Sequence, residues 1–385
     1  MKRSSTIGFD ARYAPVGESS RGSYARLLVE ALAEACPRRS YLRMYTSESG
    51  DNAEFKRLTS RHNVEAMSPD GALWRKLTWL WREWHIVRDL RRGDVELYHS
   101  LSATLPFGLE RNNIRSVVSV HNLDFLALSS FHNPVKNALH RLAIASAVGR
   151  ADRVVAASEC VKRDIVRYFS VNADKVDVIY RSCHPRFAEP LTAEHLSEVA
   201  SRLLLPKRYI LTVGTQREYK NIGPLIEGMS ELPADLHFVI VGGATKYTKH
   251  IRFRIKSLGL EHRVHIIHNV DEEDMPAIYR LATLYVHPSR YEGFATPIVE
   301  ALTVGIPVIA AMGSSLEEAG GPDSIYVDPD DREALIRSII TLLNDDELRS
   351  EMATRGREYA TRFRPEVIAY NIQNCYRRIG VDIAE

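Results

Sequence analysis

Two glutamates, Glu292 and Glu300, stand in the stretch Pro288–Gly305, which reads PSRYEGFATPIVEALTVG. Just ahead of it, Ala282–His287 (ATLYVH) is an apolar, β-favouring run of strand length. Thr296 as N-cap and Pro297 at the first helical position predict a helix start; Gly305, with Pro307 beyond it, predicts the end. The chain therefore reads strand, glycine-bearing loop, helix, and the helix N-terminus faces whatever lies beyond the strand's carboxyl end. First-turn N–H groups and the positive end of the helix dipole favour an anion there, phosphate above all. Glu300 lies four residues past Thr296, one too far for reciprocal capping. Alone, it reads as an acid in the first turn that profits from the dipole. The second carboxylate, Glu292, beside Gly293-Phe294-Ala295 adds another chemistry. One acid can accept from a ribose diol while the other faces a sugar hydroxyl. A hydrolase's acid and nucleophile would use the same pair, and the separation of the carboxylates decides that case.

A second group of candidates follows the strand Tyr209–Val213: Gly214-Thr215-Gln216-Arg217-Glu218-Tyr219-Lys220-Asn221. A glycine closing a strand, with cations close behind, suits a diphosphate approached by backbone and by charge. The plainer reading is a solvated turn with ordinary surface charges. His121 closes the strand Ser116–Val120, where a single histidine is most simply a polar edge residue. Gly17–Tyr24 (GESSRGSY) follows the first strand and opens a helix. Asp328-Pro329-Asp330 has the form of a D-x-D metal motif, but Asp and Pro after a late strand serve as turn and helix-start residues. Neither G-x-x-x-x-G-K nor G-x-G-x-x-G occurs, which argues against kinases and dehydrogenases.

The run E-G-F-A-T-P-I-V-E, Glu292 to Glu300, resembles the E-x7-E signature of retaining nucleotide-sugar glycosyltransferases of family 4, which have the GT-B fold. The similarity extends from Ile7-Gly8-Phe9-Asp10-Ala11-Arg12 to the last helix. It implies that Glu292 and His121 serve catalysis at the transferred sugar. It further implies that Gly293, Phe294, Ala295, Thr296 and Glu300 bind the donor, with Gly22, Gly214, Arg217 and Lys220. The family carries Gly-Thr-x-x-x-Arg-Lys-Asn after the strand. Lys220 and Asn221 match it, Tyr219 stands at the Arg position, and Arg217 is the substitute two residues earlier. The family histidine is usually followed by Asp; here Asn122 follows and Asp124 comes two residues on. Gly22 fits the second glycine of the family's glycine-rich loop, and Ser20 takes the place of its partner. Such enzymes need no metal or other cofactor, and the departing phosphate itself takes the acceptor's proton.

Stepping along the chain, β and α patterns alternate, the mark of parallel doubly wound sheets. Strands are predicted at Thr6–Phe9, Leu42–Tyr45, Val95–Tyr98, Ser116–Val120, Arg153–Ala156 and Val176–Tyr180. The second half carries Tyr209–Val213, His237–Val241, Val264–Ile267, Leu284–His287, Pro307–Ala310 and Ser324–Val327. His184–Pro190, with two prolines and no period, reads as the boundary. The expected fold is α/β of GT-B type, with two Rossmann-like domains facing a cleft. Residues 1–190 form the acceptor side and 191–364 bind the nucleotide sugar; 365–385 is a helix crossing back to the first domain. A chain of 385 residues is too long for one comfortable core. A net charge of +2 gives no reason to expect nucleic acid. Cys36, Cys160, Cys183 and Cys375 form no C-x-x-C, which fits a reducing cytosol and neither disulfides nor zinc. Met1-Lys2-Arg3 leads straight into a strand, so no signal peptide is expected, and no run is long enough to span a bilayer.

All four tryptophans fall within Trp74–Trp84. At helical spacing Leu73, Leu77, Leu80, Trp84 and Val87 share one face, most simply core. Trp79, Ile86 and Leu90 lie off it, near Arg88, Arg91 and Arg92, and could rest on an anionic membrane or a lipid-linked acceptor. The expectation is thus a cytoplasmic, peripheral glycosyltransferase of polysaccharide biosynthesis. Its donor is first of all GDP-mannose, and its acceptor a glycan or lipid-linked glycan. The rivals are a UDP-sugar transferase and a catalytically idle nucleotide-sugar-binding partner of an assembly complex.

Overall fold

The structure is a computed structural model, described here for residues 5–16, 20–36, 40–48, 50–128 and 133–383. The chain divides into two compact units, one of Met1–Ser182 with Pro365–Glu385, the other of Cys183–Arg364. His184–Pro190 belongs wholly to the second unit, where the buried Arg186 pairs with Glu272 and Glu273.

In the first unit the strands are β1 (Ser5–Asp10), β2 (Ser40–Tyr45), β3 (Val64–Met67), β4 (Leu97–Ser100), β5 (Arg115–Val120), β6 (Arg153–Ala156) and β7 (Val176–Val178). They form one parallel sheet in the order β3-β2-β1-β4-β5-β6-β7. The short edge strand β3 was not legible because Val64-Glu65-Ala66-Met67 holds only one β-branched residue. Helices cover both faces, as an all-parallel sheet requires. One face packs the helix Ser20–Ala35 and the C-terminal helix Pro365–Arg377, through Leu28, Leu32, Ile368, Ile372 and Tyr376. The other face buries Trp81, Leu90, Ile144 and Val148.

In the second unit β8 (Tyr209–Val213), β9 (His237–Val241), β10 (Val264–Ile267), β11 (Leu284–His287), β12 (Val308–Ala311) and β13 (Ile325–Val327) run parallel in the order β10-β9-β8-β11-β12-β13. In both sheets the order reverses at one place, beside β1 and β4 in the first and beside β8 and β11 in the second. Ligands of doubly wound folds bind beyond the carboxyl ends of the strands at that reversal.

The tryptophan-rich segment corrects the helical reading. It is broken at Leu77 and contains a π-helical turn at Trp81–His85, between Thr78–Leu80 and Ile86–Arg92. A π turn adds a residue to the helix and rotates everything after it by about 100°. Ile86 and Leu90 are therefore core residues, at 1% and 0% exposure, and not a second surface strip. Leu73 and Trp84, expected in the core, are instead exposed at 60% and 61%, like Trp79. No helix among the described residues is long and apolar enough to cross a membrane.

Candidate active site

The loops after β8 and β11 meet at the reversal point of the second sheet. Gly214 leaves β8 at φ +149°, its N–H donating to the Val241 carbonyl at 2.9 Å. Gly242 leaves β9 at φ +145°, and a Cβ there would lie 2.2 Å from the Gly214 carbonyl oxygen. The two strand ends approach so closely that only glycine serves. Beyond Gly214, Glu218–Lys220 forms a single turn ending at Asn221, which is left-handed at φ 55° and donates to the Pro329 carbonyl at 2.8 Å. That turn points Lys220 at the loop after β11, where its ammonium pairs with Glu292.

Glu292 is held from every side. His287, the last residue of β11, places Nε2 3.1 Å from the same carboxylate oxygen, and Tyr285 places its hydroxyl 2.9 Å from His287 Nδ1. The Glu292 N–H donates to Ser314 Oγ at 3.3 Å, and its carbonyl accepts from Ser315 Oγ at 2.9 Å. Burial pushes this carboxyl up, but the Lys220 charge and the His287 contact outweigh it and hold the group at about 2. His287 is itself pushed down by burial against the pull of Glu292, which keeps it neutral. Glu292 is thus an ionised acceptor at neutral pH, able to take hydrogen bonds from sugar hydroxyls. A general acid needs the opposite shift, so Glu292 is unsuited to be the proton donor of a hydrolase.

Glu300 lies on the helix Thr296–Val304, and Tyr279 donates its hydroxyl to Oε2 at 2.8 Å. Two sequence expectations are corrected here. Ala295, not Thr296, is the N-cap, so Thr296 and Pro297 occupy the first two helical positions and Glu300 falls beyond the first turn. The backbone turns into the helix one residue earlier than the Thr-Pro pair suggests, and Thr296 Oγ1 is buried with no partner among the described residues. Gly305 ends the helix in the left-handed region, at φ 89°. Gly293, Phe294 and Ala295 are buried, with the Phe294 ring 5.4 Å from that of Phe363. Arg217 is exposed, and among the described residues it forms no ion pair. Tyr219 is buried, its ring 5.7 Å from Lys220 Nζ. Asp330 pairs with Arg290 and donates its N–H to Asp328 at 2.8 Å, so the D-P-D run is a self-bonded turn. No cluster of three or more His, Cys, Asp or Glu suited to a metal occurs among the described residues.

In the first unit His121 directly follows β5, half-buried, with Nε2 3.1 Å from the Leu101 carbonyl and its ring edge-on to Tyr24 at 4.3 Å. Burial, helped by the Arg181 charge, takes it down to about 3, so the ring is neutral. Asn122 accepts from the Asp124 N–H at 2.7 Å in a tight turn. Gly22 lies inside the helix that begins at Ser20, and not in a loop ahead of it; Gly17, Glu18 and Ser19 lie outside the described residues. His287, Tyr279 and the pair Asp10–Arg12 join the site residues that the sequence motifs single out. Arg12 bonds Asp10 at 2.6 Å and Thr104 at 2.8 Å beyond β1 and β4. For His287 the signal was present, since it closes the run that leads into Glu292.

Residues 198–359 match the family described as glycosyl transferases group 1, and residues 22–186 match glycosyltransferase family 4. The chain is 27% identical over 285 residues to O-antigen chain mannosyltransferase B of Escherichia coli, covering 73% of this chain and 74% of that protein. It is 26% identical over 315 residues to the O-antigen chain mannosyltransferase RfbU of Salmonella typhimurium, covering 81% and 80%. Among solved structures, sucrose-phosphate synthase from Thermosynechococcus elongatus superposes with a TM-score of 0.78 at 21% identity, over 97% of this chain and 99% of that one, a likeness of fold. Both units are thus accounted for by adjoining family matches, and the chain belongs to the group 1 and family 4 glycosyltransferases, nucleotide-sugar-dependent enzymes of GT-B fold, and resembles those of bacterial mannosyl transfer.

Proposed function

We propose that the chain is a retaining, metal-independent mannosyltransferase that uses GDP-mannose and extends a glycan or lipid-linked glycan in polysaccharide biosynthesis. The observation that carries it is the ionised Glu292, clamped by Lys220 and His287 at the reversal point of the second sheet. The names of the two mannosyltransferase relatives support the choice of sugar. In this reading Glu292 accepts from hydroxyls of the transferred sugar and Glu300 from the ribose. Lys220, Arg217 and the helix start at Thr296 stabilise the departing diphosphate, whose charge grows as the bond breaks. The anomeric C–O bond to phosphate breaks while the acceptor oxygen bonds on the same face. The acceptor's proton passes to the departing phosphate oxygen, so no protein nucleophile is used. His121 of the first unit supports the sugar as a neutral hydrogen-bonding group.

A thermal-shift panel of GDP-mannose, GDP, UDP-glucose and UDP tests the donor. At a hundred times its Kd a ligand stabilises by about 2.7 kcal/mol, so GDP and GDP-mannose should raise the melting temperature and the uridine compounds should not. The reverse pattern moves the donor to a UDP-sugar. A GDP-mannose shift with no slow release of GDP marks an idle nucleotide-sugar-binding protein.

A further inference from the structure

A line of buried polar groups runs through the first unit behind His121, and the proposed chemistry does not use it. Tyr376 of the C-terminal helix places its hydroxyl 2.7 Å from Nδ1 of His99 on β4. His99 Nε2 lies 2.9 Å from Ser119 Oγ on β5, and that oxygen lies 3.5 Å from the Tyr24 hydroxyl. Tyr376, His99 and Ser119 are all fully buried, and Tyr24 nearly so. The far end of Tyr24 is the ring that meets His121 edge-on. His121 is also bonded to the Leu101 carbonyl, one residue past β4. Both supports of the His121 ring are therefore anchored on the strands that His99 joins.

Burying a tyrosine hydroxyl and an imidazole costs free energy that an apolar pair in the same core would not. Around Tyr376 the helix presents Ile368, Ile372 and Cys375 to that core, so packing alone does not ask for a polar group. The line of hydrogen bonds can run in either direction, and the tautomer of His99 sets which. With the proton on Nε2, Tyr376 donates to Nδ1, Nε2–H donates to Ser119 and the Ser119 hydrogen points toward Tyr24; with the proton on Nδ1 each of these bonds is reversed. Burial takes His99 down to about 3, so the ring stays neutral and carries one proton, on one nitrogen or the other. Losing the Tyr376 hydroxyl takes away the partner of Nδ1 and so uncouples the His99 tautomer, and the bond to Ser119, from the C-terminal helix.

We propose that Tyr376, His99 and Ser119 are positioning residues, which set the Tyr24 ring and through it the orientation of His121. The proposal rests on His121 acting at the transferred sugar, and it makes the last helix of the chain part of the catalytic support. Tyr376→Phe and Tyr24→Phe each remove one hydroxyl and keep every ring. The measurements are GDP release from GDP-mannose, the inhibition constant of GDP, and the imidazole 15N shifts of His99. Each variant should lower kcat about five- to tenfold, the worth of one hydrogen bond in the transition state, with the GDP constant unchanged. Tyr376→Phe should also shift the His99 Nδ1 resonance, because that nitrogen loses its hydrogen-bond partner. In a His121→Ala background both substitutions should add nothing further. Native kcat in both variants, or an equal fall with and without His121, overturns the positioning role. A fully active His121→Ala protein overturns instead the role given to His121, and the two failures are told apart by that single variant. Should Tyr376→Phe not fold, Tyr24→Phe carries the same test.

Discussion

A carboxyl group buried without partners takes up a proton; Glu292 does the reverse because Lys220 and His287 meet on one of its oxygens. Its folded value of about 2 lies below the ordinary 4.5, so the stabilisation is present in full above that ordinary value. It is lost as the pH falls toward about 2, and amounts to roughly 3 kcal/mol. Glu292→Gln should remove this part of the acid sensitivity, read as the difference in urea midpoint between neutral and acid solution. The two glutamates should also separate in kinetics. Contacts equal in ground and transition states act on KM, whereas those that grow in the transition state act on kcat. Glu300→Gln is expected to raise donor KM and weaken GDP. Glu292→Gln should chiefly lower kcat and leave GDP binding nearly intact. Equal weakening of GDP by both variants would show that the roles are wrongly divided. Lys220→Ala should weaken GDP by about one to two orders of magnitude, the worth of a charge-assisted hydrogen bond.

The elements decide how far such residues can be placed. Gly242 tests the crossing of β8 and β9, because a methyl at that position meets the Gly214 backbone and no side chain can give way. Gly242→Ala should cost about 2–4 kcal/mol and displace the loop that carries Lys220. Loss of stability with unaltered GDP binding would dissociate the crossing from the site. Glu292, Glu300 and Lys220 were legible in the sequence because each sits in a local strand-loop-helix pattern. The Tyr279–Glu300 contact was not, since its two ends lie on separate elements. Nor was the tryptophan-rich surface: hydrophobic period assumes an unbroken helix, and the π turn at Trp81–His85 shifts the phase. With Ile86 and Leu90 in the core, a peripheral membrane contact would rest on Leu73, Trp79 and Trp84 beside Arg75, Lys76 and Arg88. Flotation with anionic vesicles that falls at high salt and in Trp79→Ala/Trp84→Ala is the expected outcome. Equal recovery with neutral vesicles, or none with either, removes the membrane from the account.

At the scale of the whole molecule the chain leaves its first unit after Ser182 and comes back at Pro365. Ile368, Ile372, Tyr376 and Ile383 then fill the first unit's core. Burying such side chains contributes roughly 1.5–3 kcal/mol each, together about the whole stability of a typical domain. A fragment ending at Ser182 should therefore fail to fold, whereas Cys183–Arg364 should fold alone and bind GDP. Calorimetric unfolding of the two fragments checks both statements. The same connectivity orders events during synthesis. The first half of the chain emerges from the ribosome lacking its final helix, and about two hundred further residues must be made before that helix exists. At roughly 5–20 residues per second the wait is on the order of 10–40 s. During it the second unit can finish folding, while the unit made first waits with an apolar face that its final helix has yet to cover.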